Sequence, residues 1–413
     1  MKRLLLAAAI VAGTAGVAGA KPRVDVEAAQ AILAVQRLDG WLLAQTGSQN
    51  PVAADLVGPS GTTSLQWFYL IPAQGETTAL CHQSEAAQFT GTAGVVINYT
   101  DNRDLKKKLR ALLKGKRRLA MEHAAGSKIP ALNRVDAATL RMVRATGARV
   151  SSSAELVQFT KSLWGPEGRV AHYLAIHHLT RLKDAALAHL AAELRAGRAV
   201  TELDLQELIQ KGYEVRGLEG PPPIVAAGAN TADPAYTPTA QKTSPIKEGE
   251  LVLLDLSARV AGAERPIFAR LGWVAYVGDS VPENIAQPFA QVAAARDGAI
   301  KFVDERLQRK RVVKGFEVDR HARGALAAAK VGEFPHPTGH SLDTSLKGDG
   351  ANIDDLETKD TRNLVMGAGF TVGPGAYQKG AFGVRSVVDV YIGRRGVEVT
   401  SPTQQQVTAV LEK

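Results

Sequence analysis

The tetrapeptide Trp164-Gly-Pro-Glu167 separates two stretches that follow different structural rules, and any fold for this chain must accommodate both. Before it, residues 21 to about 162 alternate helical and extended signals. A helix is predicted near Val26 to Leu38, strands at Gly40-Trp-Leu-Leu-Ala44, Gln66-Trp-Phe-Tyr-Leu-Ile71 and Gly94-Val-Val-Ile-Asn98, a helix from Asp101, a strand from Arg118, and helices near Ala137 and Ala154. That alternation predicts an α/β layer domain. After it, a proline in the first turn opens a long Ala- and Leu-rich helix from Pro166 toward Arg195. Further helices are predicted at Thr201 to Tyr213, Pro282 to Gln308 and Glu317 to Ala329, together with an Asp255 hairpin and a Gly-rich C-terminal run of strands. Helices and strands segregate here, which predicts an α+β sheet faced by helices. The expected organisation is a two-domain α/β plus α+β chain, 21–162 and 163–413, behind a leader in residues 1–20.

The leader has a basic start, Met1-Lys-Arg3, then an apolar run and an Ala18-Gly-Ala20 end, the pattern of a secretory signal peptide cleaved after Ala20. Export to the periplasm or outside the cell is expected. No Cys follows the cut and no later apolar run is long enough to span a bilayer, so neither a lipid anchor nor a membrane span is expected. Apolar residues at 45% and charged residues at 22% describe a globular chain rather than a disordered one. The single cysteine, Cys81, excludes an intrachain disulfide. Loss of Lys2 and Arg3 with the leader lowers the formal charge from +9 to +7. The densest basic run, Lys106 to Arg118, carries Leu105, Leu109, Leu112 and Leu113 at helical spacing. Its lysines are therefore expected to form the solvated face of an amphipathic helix, with no nucleic-acid partner.

Five segments carry a resemblance that covers nearly the whole mature chain. They are Pro222-Pro-Ile-Val-Ala-Ala-Gly-Ala-Asn230, Leu251-Val-Leu-Leu-Asp255, His336-Pro-Thr-Gly-His340-Ser341, Phe370-Thr-Val-Gly-Pro-Gly-Ala-Tyr377 and Gly383-Val-Arg-Ser-Val-Val-Asp-Val390. In order and spacing the chain resembles the pita-bread metallopeptidases: aminopeptidase P, Xaa-Pro dipeptidase and methionine aminopeptidase. Its first part is similar to the creatinase-type N-terminal domain. The resemblance implies a creatinase-like N-terminal α/β domain followed by a pita-bread C-terminal domain. Such proteins bind two divalent ions, such as manganese, through two Asp, one His and two Glu, and are often homodimers.

Carried over residue by residue, that ligand set is thin. Asp255 matches the first Asp and His340 the His, whereas the other positions hold Arg270, Gly373 and Val387. Among positions that serve substrate in the family, His336 is retained, one His is matched by Ala235 and another by Lys347. These three, His336, Lys347 and Ala235, are expected at the substrate cleft. Asp255 is open between a structural anchor and a remnant ligand. His336 and His340 are expected as hydrogen-bonded loop residues, and Lys347 as a solvated one. Asp389 lies on the same side as Val387 by strand alternation, but two residues advance the chain by about 6.6 Å, too far to substitute for a lost ligand.

Two divalent ions bring four positive charges that four carboxylates cancel, so carboxylates left without metal would repel or take up protons. An Arg at position 270 can fill part of that space and donate a two-pronged pair to Asp255. Arg270→Ala is accordingly expected to destabilise the fold. The leading expectation is a non-catalytic pseudopeptidase with a peptide or protein partner and no cofactor. One alternative is an active peptidase cleaving Xaa-Pro peptides at a rearranged metal site. Another is a metal-free hydrolase using His336, His340 and Asp255.

Overall fold

The computed structural model describes residues 24–412 except 125–128, 130–131 and 333; residues 1–20, expected as a leader, lie outside the described residues. The chain divides into two compact units, Met1–Thr160 and Lys161–Lys413.

In the first unit, Asp25 caps helix α1 (Val26–Gln36) by accepting the Ala28 amide proton. Then follow β1 (Gly40–Gln45), α2 (Pro51–Val57), β2 (Trp67–Pro72), β3 (Thr78–His82), β4 (Val95–Tyr99), α3 (Asn102–Leu112), β5 (Arg118–Met121), α4 (Ala137–Arg144), β6 (Arg149–Ser152) and α5 (Ala154–Lys161). The six strands form one sheet in the order β4-β3-β2-β1-β5-β6, parallel at β3/β4, β1/β5 and β5/β6. Alternation along β1 sends Trp41 and Leu43 to one face, against Leu33, Leu56 and Leu156 of α1, α2 and α5. Leu42 and Ala44 go to the other, against Leu105 and Leu109 of α3 and Leu140 and Val143 of α4. Helices α2 and the strands β3 and β6 lay outside the sequence expectation. β6 reads Arg-Val-Ser-Ser and is mostly exposed, so it has no apolar alternation to betray it.

In the second unit, α6 (Gly165–Arg195) and α7 (Glu202–Val215) cover a sheet built from β7 (Leu218–Glu219), β8 (Ile224–Ala227), β9 (Leu251–Val260), β10 (Ala269–Tyr276) and, at the far edge, β17 (Thr408–Ala409). Between β10 and β17 come α8 (Glu283–Gln308), α9 (Gly315–Ala328), β11 (Ser341–Leu342), β12 (Gly369–Val372), β13 (Gly375–Gln378), β14 (Phe382–Arg385), β15 (Val388–Gly393) and β16 (Gly396–Val399). β11, β12, β15 and β16 form a second sheet and β13/β14 a hairpin, with α8 and α9 packed on them through Val303, Val318 and Phe289. Thr201 and Asp204 form a capping box at the start of α7. Among the described residues no helix is long and apolar enough to cross a membrane.

Candidate functional site

The site lies where β9, β10, β14 and the loop before β11 converge. In the β9/β10 register Asp255 faces Gly272, and Arg270 faces Ser257. Arg270 is thus a diagonal neighbour of Asp255 on one face of the hairpin, within reach of a long side chain. Its guanidinium makes a two-pronged pair: Nε donates to Asp255 Oδ1 at 2.8 Å and Nη2 to Oδ2 at 2.6 Å. The same guanidinium reaches the other retained position. Arg270 Nη1 lies 2.9 Å from His340 Nε2, while His340 Nδ1 lies 3.0 Å from the Ser341 carbonyl. Because a guanidinium only donates, Nε2 is the acceptor and the proton sits on Nδ1. Burial, and then the Arg270 charge, push the imidazole down to about 3, so it is neutral.

A third member joins from β14. Arg385 pairs with Asp255 Oδ2, and burial lowers its guanidinium to about 10. Sequence reasoning did not single it out; a basic residue inside the apolar run Phe382-Gly-Val-Arg-Ser-Val-Val388 was the available signal. One buried carboxylate therefore faces two guanidiniums.

Positions 373 and 387 interlock by shape. A Cβ placed on Gly373 would come within 2.8 Å of Val387 Cγ2, and one on Gly272 within 2.8 Å of the same methyl. Val387 thus packs into the space that two glycines leave, and a side chain at 373 would have to displace it.

The loop carrying His340 is anchored from α9. Asp319 Oδ1 accepts from the Thr338 amide at 3.0 Å and hydroxyl at 2.6 Å, and its Oδ2 pairs with Arg323 at 2.8 Å. The His340 amide donates to Thr371 Oγ1 at 3.0 Å. His336 is hydrogen-bonded on both nitrogens, to the Pro337 carbonyl and the Tyr377 hydroxyl, each at 2.8 Å, and burial lowers it to about 4. Tyr377 and Arg385 line a small cavity of about 10 Å³ with Thr231, Asp233 and Pro234, room for about one water. Ala235 lies next to it, exposed, its amide donating to Asp233 Oδ1 at 3.0 Å. Lys347 is exposed on the loop after β11, and its charge adds to the depression of His340.

Asp389 on β15 is fully buried. Its Oδ2 accepts the Arg270 amide proton at 2.7 Å and lies 3.8 Å from His172 Nε2, and burial raises its carboxyl to about 8. The folded chain therefore keeps a proton that an unfolded aspartate, near 3.8, has released. Raising the pH then favours unfolding until the folded value is passed. The lowered histidines act with the opposite sign, and because an unfolded histidine is still half-protonated near pH 6.5, each adds ~0.4 kcal/mol as the pH rises to about 8. Between about pH 6.5 and about pH 8, Asp389 by itself is expected to lower stability by ~2 kcal/mol, which the histidines offset in part. Asp389→Asn should flatten that decline in denaturant titrations at the two pH values, and an unchanged decline would assign it to another group.

Residues 175–394 match the model of metallopeptidase family M24. A comparison with curated proteins finds no match. Solved structures similar to this chain include dipeptidase PepE from Mycobacterium ulcerans, at 20% identity and TM-score 0.70, covering 93% of this chain and 96% of that one. A prolidase from Thermococcus sibiricus is 19% identical with TM-score 0.63, covering 96% and 100%. An X-prolyl aminopeptidase from Caenorhabditis elegans, described as cytosolic with a di-nuclear active site, is 17% identical with TM-score 0.64, covering 92% of this chain and 62% of that one.

These findings correct the expectation that no cofactor belongs here. The matched family is one of metallopeptidases, and a neighbour of the same fold is described with a di-nuclear centre. The expectation rested on a count of ligands in this sequence alone, and the family match and the neighbour's description stand against it. The side chains present nevertheless do not fit a pair of divalent ions. Both Asp255 oxygens face guanidiniums, His340 Nε2 accepts from one of them, and Gly373 and Val387 supply no donor. Hard divalent ions require several oxygen ligands around one centre. Among the described residues no group of three or more His, Cys, Asp and Glu converges to hold an ion. The match spans more than half of the chain and the neighbours share its two-domain, pita-bread architecture, so this chain belongs to metallopeptidase family M24.

Proposed function

We propose that this chain is an exported, non-catalytic member of family M24, a pseudopeptidase whose former reaction centre has become a self-neutralising ion-pair cluster. Its role is to bind a peptide or protein partner, with homodimer formation as one form of that association. The observation that carries the reading is the Arg270 guanidinium bridging Asp255 and His340 Nε2. It puts a fixed cation between two groups that a metal would need. The leader pattern of residues 1–20 supports export to the periplasm or beyond.

The metal-free hydrolase reading loses support at the same atoms. A general base needs an unengaged lone pair near neutral pH, but His340 Nε2 accepts from Arg270, and His336 Nε2 accepts from Tyr377 while Nδ1 donates to the Pro337 carbonyl. Both imidazoles are held near 3 and 4, far below an efficient base.

The test is hydrolysis of fluorogenic Xaa-Pro peptides by the purified chain, with and without added manganese, cobalt or zinc, beside an active prolidase. No turnover above buffer is expected. Saturable hydrolysis that disappears in Asp255→Ala, in protein that still folds, would sink the proposal and restore the peptidase reading.

A further inference from the structure

The two helical layers of the N-terminal unit differ sharply in charge. Residues 24–102 contain one Lys or Arg and seven Asp or Glu, whereas residues 103–149 contain fourteen Lys or Arg and three Asp or Glu. The second stretch supplies α3 and α4, which share one hydrophobic cluster on the same face of the sheet. Because Leu105 and Leu109 of α3 and Leu140 and Val143 of α4 point into that cluster, the outward sides carry the charge. Arg103, Lys106, Lys107 and Arg110 on α3, and Arg141 and Arg144 on α4, are all exposed.

The few acids in this stretch do not balance them. Asp104 pairs with Lys108 at 2.8 Å. Asp136 caps α4 by accepting the Ala138 and Thr139 amide protons. Glu122 is fully buried and hydrogen-bonded to Trp41, Asn50 and Ser153. None of the six outward cations makes an ion pair among the described residues.

We propose that the α3/α4 face of the N-terminal unit is an electrostatic docking surface for a membrane leaflet rich in anionic phospholipid. The shape of the face favours that partner. Both helices lie flat on a sheet, so neither end projects as a recognition helix does into a major groove. Among the described residues no large aromatic side chain is exposed to stack bases, as single-stranded nucleic acid would require. No exposed large apolar residue sits on α3 or α4, so the face rests on lipid headgroups without inserting. Attachment is then reversible and sensitive to salt.

Co-sedimentation of the full chain with vesicles tests this. Binding is expected to vesicles of one part phosphatidylglycerol to two parts phosphatidylcholine, and not to phosphatidylcholine alone. It should vanish at about 0.5 M NaCl, where screening reaches only a few ångströms. Each basic side chain near such a surface is worth roughly a five-fold gain, so loss of three cations cuts partitioning by on the order of 100-fold, and Lys106→Glu/Lys107→Glu/Arg110→Glu, which also adds three repelled carboxylates, should cut it by more than that. Lys301→Glu/Arg309→Glu/Arg311→Glu makes the same change in net charge on exposed residues elsewhere and should leave binding within about two-fold, since screening confines the effect to nearby charges. Circular dichroism checks that both variants fold. Absence of binding to the anionic vesicles at about 0.1 M salt overturns the proposal, as does equal loss in both variants. Tighter retention on a short DNA duplex than on vesicles would also overturn it, reassigning the face to nucleic acid.

Discussion

Asp255→Asn is expected to destabilise the C-terminal unit by about 3–5 kcal/mol, the cost of breaking a buried pair by removing one partner. Asp255 is 4% exposed and its carboxylate holds both Arg270 and Arg385. The asparagine keeps the volume and removes the charge, so the buried Arg385 guanidinium and the partly buried Arg270 guanidinium are left facing an amide that can neutralise neither. A fall in melting temperature on the order of 10 °C follows for a unit of this size. Arg270→Ala should cost less, about 1–3 kcal/mol, because Arg385 still neutralises Asp255 and the principal loss is the donor to His340 Nε2. That ordering separates a cluster of three charges from a simple pair, in which the two substitutions would cost the same. Denaturant unfolding of the two variants measures it, and a smaller loss for Asp255→Asn than for Arg270→Ala would refute the three-charge arrangement.

Gly339→Ala carries the second large effect. A Cβ at this position would lie 1.8 Å from the Thr371 carbonyl oxygen and 2.7 Å from its carbon. The obstacle is strand backbone rather than a side chain that can rotate away. The loop is also pinned on both sides, by Thr338 to Asp319 and by His340 to Thr371 in both directions. Neither partner can shift without breaking hydrogen bonds, so a loss of about 3 kcal/mol is expected, at the upper end for overpacking. The variant should also separate His340 from Arg270, and NMR of the imidazole would show its pKa rising toward that of a free histidine as burial and the guanidinium charge are lost. A variant with unchanged stability and an unchanged imidazole pKa would mean that the close approach at Gly339 does not constrain this loop.

Much of the fold was legible because local signals coincided with the elements. Helix starts were marked by caps: Asp25, Asp101, Asp136 and Thr201 each accept a hydrogen bond from the first turn they precede. Most of the sheet strands announced themselves as buried apolar runs, such as Trp67–Pro72 and Leu251–Val260. Two of the elements that escaped carried weaker signals. α2 is only seven residues, and β6 pairs β5 through its backbone while its side chains stay largely in solvent.

The sequence by itself determined the identity of the side chains at the site, including Arg270 two positions off Asp255 in a hairpin and the absence of donors at 373 and 387. Those follow from residue order and strand alternation, which are local. Only the tertiary structure decided that Arg385, 130 residues from Asp255, shares its carboxylate, that Arg270 occupies His340 Nε2, and that Asp389 is buried deeply enough to keep its proton near neutral pH. Charge–charge interaction and desolvation depend on distance through space and on burial. Neither is encoded in spacing along the chain, so the chemistry of the cluster emerges only when four separate strands and a loop are brought together.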